Sequence, residues 1–232
     1  NHLLINKEVC ILKYTTEVNK DIECYMYISI DDGNTEKNID LIDRENLKWI
    51  NYEDVGDVLS YENLKELWEK IKEPIKSILN NNGIFTPANL TDLGICPTCY
   101  DKENNRCLYG DISEELLFEN DIFECFLVTN PRANGHTIIS TKKHYKDMME
   151  VPEDLCSKIF IFAKKMMNIL KKTYNSESVY LCTMCDGPMN HFHIQLIPRY
   201  SFEQRGSKNF VKPRKEYVYN KEKIEQIRKL LN

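Results

Sequence analysis

The run Asn190-His191-Phe192-His193-Ile194-Gln195-Leu196-Ile197-Pro198-Arg199 constrains the fold of this chain more than any other stretch. Phe192, Ile194 and Leu196 alternate with His191, His193 and Gln195, the two-residue period of a strand with one face on a core. On the polar face two imidazoles and a carboxamide stand in a row, spaced roughly 7 Å or a little less. Four of the five histidines lie between His136 and His193, and a Cys-x-x-Cys, Cys96 and Cys99, stands upstream.

The rest of the chain supplies a sheet for that strand and a helix to cover it. Asp121 to Thr129, Gly135 to Thr141 and Val179 to Met184 read as further strands. Leu155, Ile159, Phe162, Met166, Ile169 and Leu170 recur at helical spacing. Cys96 to Gly110 reads as a knuckle and loop, and Lys221 to Leu231 as a charged C-terminal helix. The first 90 residues are rich in Asn, Asp, Glu and Lys. Within them Glu8 to Tyr14 and Glu23 to Ile30 read as strands, Asp31 to Asn34 as a turn and Tyr61 to Leu79 as a helix interrupted or kinked by Pro74. The stretch from Asn80 through Asn89 reads as a linker.

Bulk properties narrow the function. Hydrophobic residues at 42% are enough for a core, and a net charge of −5 argues against a nucleic-acid surface. Lys212, Arg214 and Lys215, the densest basic spot in the tail, read as a solvated segment. Nine cysteines, an odd count, scatter as small hydrophobes such as Cys125 and Cys156, which suits a reducing cytoplasm. No apolar run approaches the roughly 20 residues that span a bilayer, so no membrane role is expected.

The two thiols of Cys96-Pro97-Thr98-Cys99 sit at a separation suited to tetrahedral zinc. A redox pair and a chance occurrence are the other readings. His144 and His191 are the favoured remaining ligands. Cys182 and Cys185 are ranked below them, because residues three apart on a strand face opposite sides.

His-x-His-x-Gln suits nucleophilic chemistry. A neutral imidazole attacks phosphorus and splits one displacement into two, while a neighbouring amide donates to a non-bridging oxygen. Gln cannot supply a proton at neutral pH, so the leaving group departs as a stable anion such as a phosphate or sugar phosphate.

Residues 96–200, about 105 of the 232, resemble the histidine-triad (HIT-like) superfamily. The matching motifs, in order, are Cys96-Pro-Thr-Cys99, Asn130-Pro131-Arg132, Gly135-His136-Thr-Ile-Ile-Ser-Thr-Lys-Lys-His144 and the His191 to Arg199 strand. Hydrolases of that superfamily usually carry a third histidine where Gln195 stands. The Gln form resembles the galactose-1-phosphate uridylyltransferase and dinucleoside polyphosphate phosphorylase branch. That likeness implies His193 as nucleophile, Gln195 on the transferred phosphoryl group, and a structural zinc on Cys96, Cys99, His144 and His191. Asn130, Gly187 and Asn190 are weaker candidates for substrate contact. Arg132 and Arg199 are cations for either phosphate or surface, and His136 reads as a locally bonded strand-start residue. The chain departs from the uridylyltransferases at Phe192, where they have Pro, and in having one such half-unit rather than two.

The expected fold is α+β: a HIT-like antiparallel sheet with a packed helix, plus an N-terminal α/β elaboration. The expected domains are an extension over 1–90, a catalytic domain over 91–200 and a tail with a helix over 201–232. The expected function is a zinc-containing nucleotidyltransferase or phosphorylase acting through a covalent nucleotidyl-histidine. Its substrate is a nucleotide sugar or nucleoside polyphosphate, its acceptor a phosphate or sugar phosphate, and its assembly a homodimer. The alternatives are a nucleotide phosphohydrolase and a non-catalytic nucleotide-binding module.

Overall fold

The computed structural model describes residues 2–3, 10–15, 20–26, 29–30, 50–81, 84–104, 106, 108–206 and 212–231. The turn expected over Asp31 to Asn34 lies outside them. Two compact units are present, Asn1–Asn104 and Asn105–Asn232.

In the first unit, β1 (His2–Leu3) pairs antiparallel with β4 (Ser29–Ile30), and β2 (Cys10–Thr15) with β3 (Asp21–Met26). A short helix α1 (Val55–Val58) precedes α2 (Glu62–Asn80). Pro74 lies buried inside α2, and the helix runs on past it. Losing one amide donor there costs less than ending a helix that buries Leu67 and Ile78.

The expected linker is partly helical. Thr86 and Asn89 form a reciprocal capping box that starts α3 (Pro87–Asp92). The expected knuckle is α4 (Pro97–Glu103), with Cys96 as its N-cap residue. Pro97 fits the first helical position because its missing N–H would have no partner there. One helical turn therefore separates Cys96 from Cys99.

The second unit is a five-stranded antiparallel sheet in the order β5-β6-β7-β9-β8. Its strands are β5 (Leu116–Glu119), β6 (Phe123–Leu127), β7 (Thr137–Thr141), β8 (Ser178–Cys182) and β9 (His193–Arg199). Register pairs Ile138 with Gln195 and Ser140 with His193 on one side of β9, and Cys182 with Gln195 on the other. Ile138, Ser140, His193, Gln195 and Cys182 thus share one face. Cys125, Ile139, Ile194 and Leu196 form the core on the opposite face. Burying each of these aliphatic side chains is worth about 1.5–3 kcal/mol, so a one-residue slip of β9 is strongly disfavoured.

Helix α5 (Glu153–Thr173) buries Leu155, Ile159, Ala163, Met166 and Leu170 in that core. Glu153 and Asp154 in its first turn and Lys171 and Lys172 in its last complement the helix dipole. Asn175 ends it at φ 49°, with Ser176 N–H donating to the Lys171 carbonyl. The C-terminal helix α6 (Lys221–Leu231) is more than a charged tail. Ile224, Ile227 and Leu231 join the same core, and the Arg228 guanidinium donates to the Leu116 carbonyl at 2.6 and 2.9 Å.

Candidate active site and metal-ligand cluster

The side chains on the polar face of β9 form one hydrogen-bond chain whose polarity is fixed at both ends. At one end the Arg132 backbone N–H can only donate, and it reaches His136 Nδ1 at 3.2 Å. Nδ1 of His136 must therefore be the acceptor, and its hydrogen sits on Nε2, facing Gln195 Oε1 at 3.1 Å. That places the Gln195 amide nitrogen towards His193 Nε2, at 3.5 Å. At the other end the His191 carbonyl can only accept, so His193 Nδ1, 2.8 Å away, carries the hydrogen. The two ends agree: His193 Nε2 holds a lone pair, met by an amide donor at the outer limit of a hydrogen bond.

Electrostatics keep these rings neutral. Burial is the main cause holding His136 down to about 4, and the positive charges of Arg214 and Arg132 add to it. Burial also lowers His193, opposed by its bond to the His191 carbonyl. Both imidazoles are bases without a proton to shed at pH 7.

His136 was expected to bond only locally, and it does more than that. It is 1% exposed and orients Gln195 from 59 residues away. A histidine following Gly at a strand start was the available signal. The link to Gln195 needs the β7–β9 register, which no local pattern contains.

The other candidates have definite settings. Asn130 is exposed, and its carbonyl accepts from the Arg214 guanidinium at 2.7 Å. Gly187 sits in a turn at φ 98°, a conformation that side chains rarely adopt. Asn190 donates its amide to the Lys146 carbonyl at 2.6 Å, tying the approach to His193 to the loop after β7. Arg199 is buried, paired with Glu177 at 2.7 Å and bonded to the Tyr200 and Glu203 carbonyls, so it braces the end of β9. The basic tail is exposed at Arg214 and Lys215, as expected of a solvated segment, but it is tied down. Lys212 pairs with Glu203 at 2.8 Å, and the Lys215 N–H donates to the Pro131 carbonyl at 2.7 Å.

One ligand atom from each of Cys96, Cys99, His144 and His191 lies within 4.8 Å of the other three. A tetrahedral zinc with ligand distances of about 2.0–2.3 Å has ligand–ligand edges of roughly 3.3–3.8 Å, so drawing the four atoms onto one ion would need shifts of about 1 Å at most. His191 Nε2 lies 2.8 Å from the Thr141 carbonyl. The hydrogen therefore belongs on Nε2, and Nδ1 is the nitrogen that would ligate a metal. The Cys99 thiol is pushed up, first by its hydrogen bond to Cys96 and then by burial. Such a pair gives up its protons only to a cation that replaces them. Two soft sulfurs and two imidazoles, with no carboxylate, fit zinc. Cys182 and Cys185 are not in this group.

Among the described residues no helix is long and apolar enough to cross a membrane. A family model described as HIT domain matches residues 110–202. An uncharacterised HIT-like protein of Methanocaldococcus jannaschii is 31% identical over 98 residues, covering 41% of this chain and 76% of that protein. An adenylylsulfatase of Arabidopsis thaliana is 33% identical over 91 residues, covering 36% of this chain and 44% of that protein. Among solved structures, a zinc-bound histidine triad family protein of Mycobacterium smegmatis aligns with a TM-score of 0.46 at 14% identity, over 59% of this chain and 92% of that one. From the motif strand and the extent of the archaeal match, this chain belongs to the HIT family.

Proposed function

We propose that this protein is a nucleotidyltransferase or phosphorylase that works through a covalent nucleotidyl–histidine at His193. The supporting observation is the hydrogen-bond chain that leaves a lone pair on His193 Nε2 and an amide donor beside it. Nε2 attacks the α-phosphorus of a nucleotide sugar or nucleoside polyphosphate. The P–O bond to the leaving phosphate breaks, and that group departs as an anion. The imidazolium formed keeps its Nδ1 hydrogen on the His191 carbonyl, whose dipole stabilises the new positive charge. Gln195, its oxygen held by His136, turns its N–H towards a non-bridging oxygen. A phosphate or sugar-phosphate oxygen then attacks phosphorus, and the P–N bond breaks.

Asn130, Gly187 and Asn190 are assigned to substrate contact in this reading, and a homodimer is its assembly. Zinc held by Cys96, Cys99, His144 and His191 would be structural, and four protein ligands would leave no position for water. His191 itself joins that ligand set to the carbonyl that holds His193.

A second reading is hydrolysis, in which water takes the nucleotide from His193; the similarity to an adenylylsulfatase favours it. The two are separated by nucleotide turnover with and without inorganic phosphate or a sugar phosphate. Acceptor-dependent acceleration, with the nucleotide recovered on the acceptor, supports transfer. An unchanged rate releasing free nucleoside monophosphate supports hydrolysis.

A further inference from the structure

Among the described residues, two guanidiniums near the catalytic strand have no carboxylate partner, unlike the neighbouring cations. Lys212 and Lys215 lie 2.8 and 3.9 Å from Glu203, Arg199 and Arg205 pair with Glu177, and Arg106 pairs with Glu124. By contrast, among the described residues the Arg132 guanidinium donates to the Lys212 carbonyl alone, and Arg214 to the Asn130 carbonyl alone, each at 2.7 Å. Arg132 Nε is buried and unpartnered.

These contacts lace the tail onto the 130–132 loop, with the Lys215 N–H on the Pro131 carbonyl as a third stitch. The same loop holds His136 through the Arg132 backbone. The positive charge of Arg214 is felt at both His136 and His193, and that of Arg132 at His136 and at Cys182, which pairs with Gln195 across the sheet. The two arginines also act on each other. Like charges held together beside neutral imidazoles repel until an anion lies between them. A planar guanidinium matches phosphate oxygens two at a time.

We propose that Arg214, with Arg132, forms the oxyanion site for the phosphate next to the one His193 attacks. This rests on the nucleotidyl-transfer reading, and it supplies what that reading lacks. Gln195 has no proton to give the departing oxygen, so fixed cations must stabilise its charge.

The test is calorimetric titration of the full chain with AMP, ADP, UMP, UDP and inorganic pyrophosphate. Wild type, Arg214→Gln, Arg214→Lys and an Arg205→Gln control are compared, each first matched in melting temperature. The expected result is at least a tenfold loss of diphosphate and pyrophosphate affinity in Arg214→Gln, partly restored by Lys. Monophosphate affinity should stay within about twofold, and Arg205→Gln should match wild type. Equal loss for mono- and diphosphates, or no loss, overturns the inference while nucleotide binding survives. Arg214-dependent pyrophosphate binding without any nucleotide binding overturns the nucleotide reading and keeps the anion site. No binding of any probe overturns both.

Discussion

Replacing His136 with Gln should make the protein's acid sensitivity smaller, and the size follows from its setting. The ring is 1% exposed, with Nδ1 accepting from the Arg132 N–H and Nε2 donating to Gln195. Burial holds it down to about 4, against about 6.5 in an unfolded chain. Between those values the unfolded chain binds the proton and the folded one does not. The contribution is therefore complete above pH 6.5 and falls as pH drops towards 4. About 2.5 units at 1.36 kcal/mol each gives about 3 kcal/mol across the window. At pH 7.5 the variant should be less stable by about 1–3 kcal/mol, because buried partners lose a well-placed ring. By pH 4.5 that gap should have shrunk by 2–3 kcal/mol, enough to close or invert it. Urea denaturation followed by circular dichroism measures this. A gap that stays constant from pH 7.5 to 4.5 would refute the buried neutral His136 from which the whole chain is oriented.

Two further outcomes are expected. Elemental analysis should find about one zinc per chain, and Cys96→Ser should lose it at least tenfold more readily to a chelator, with a lower melting temperature. Gly135→Ala should destabilise by about 2–4 kcal/mol in denaturant titrations, because Gly135 has φ 77° and an added Cβ would meet the Tyr174 ring at 2.7 Å.

What was legible in the sequence was periodic. The alternation from Phe192 to Leu196 and the Leu155 to Leu170 spacing both became core-facing elements, because burial on one face sets the period. Short elements with local signals of another kind were not legible. Helices α3 and α4 run six and seven residues and begin with Pro, so they resemble a loop to any periodicity test. Strand β5 is hidden by its acidic flanks, and its place is set by pairing with β6. Helix α6 was legible as a charged helix over the same residues, but its packing was not, because only Ile224, Ile227 and Leu231 among many charges turn into the core. The largest gap lies in the site. His136 and Arg214 come within influence of His193 through strand register and a returning tail, and single-chain spacing contains neither.

The central claim is that His193 Nε2 is a nucleophile. It is tested most directly by intact-protein mass spectrometry after rapid mixing with nucleotide sugars and dinucleoside polyphosphates. An acid-labile adduct of one nucleoside monophosphate is expected on wild type and should be absent from His193→Ala. A protein that turns these donors over with no adduct at any mixing time, or an adduct that persists in His193→Ala, would contradict it.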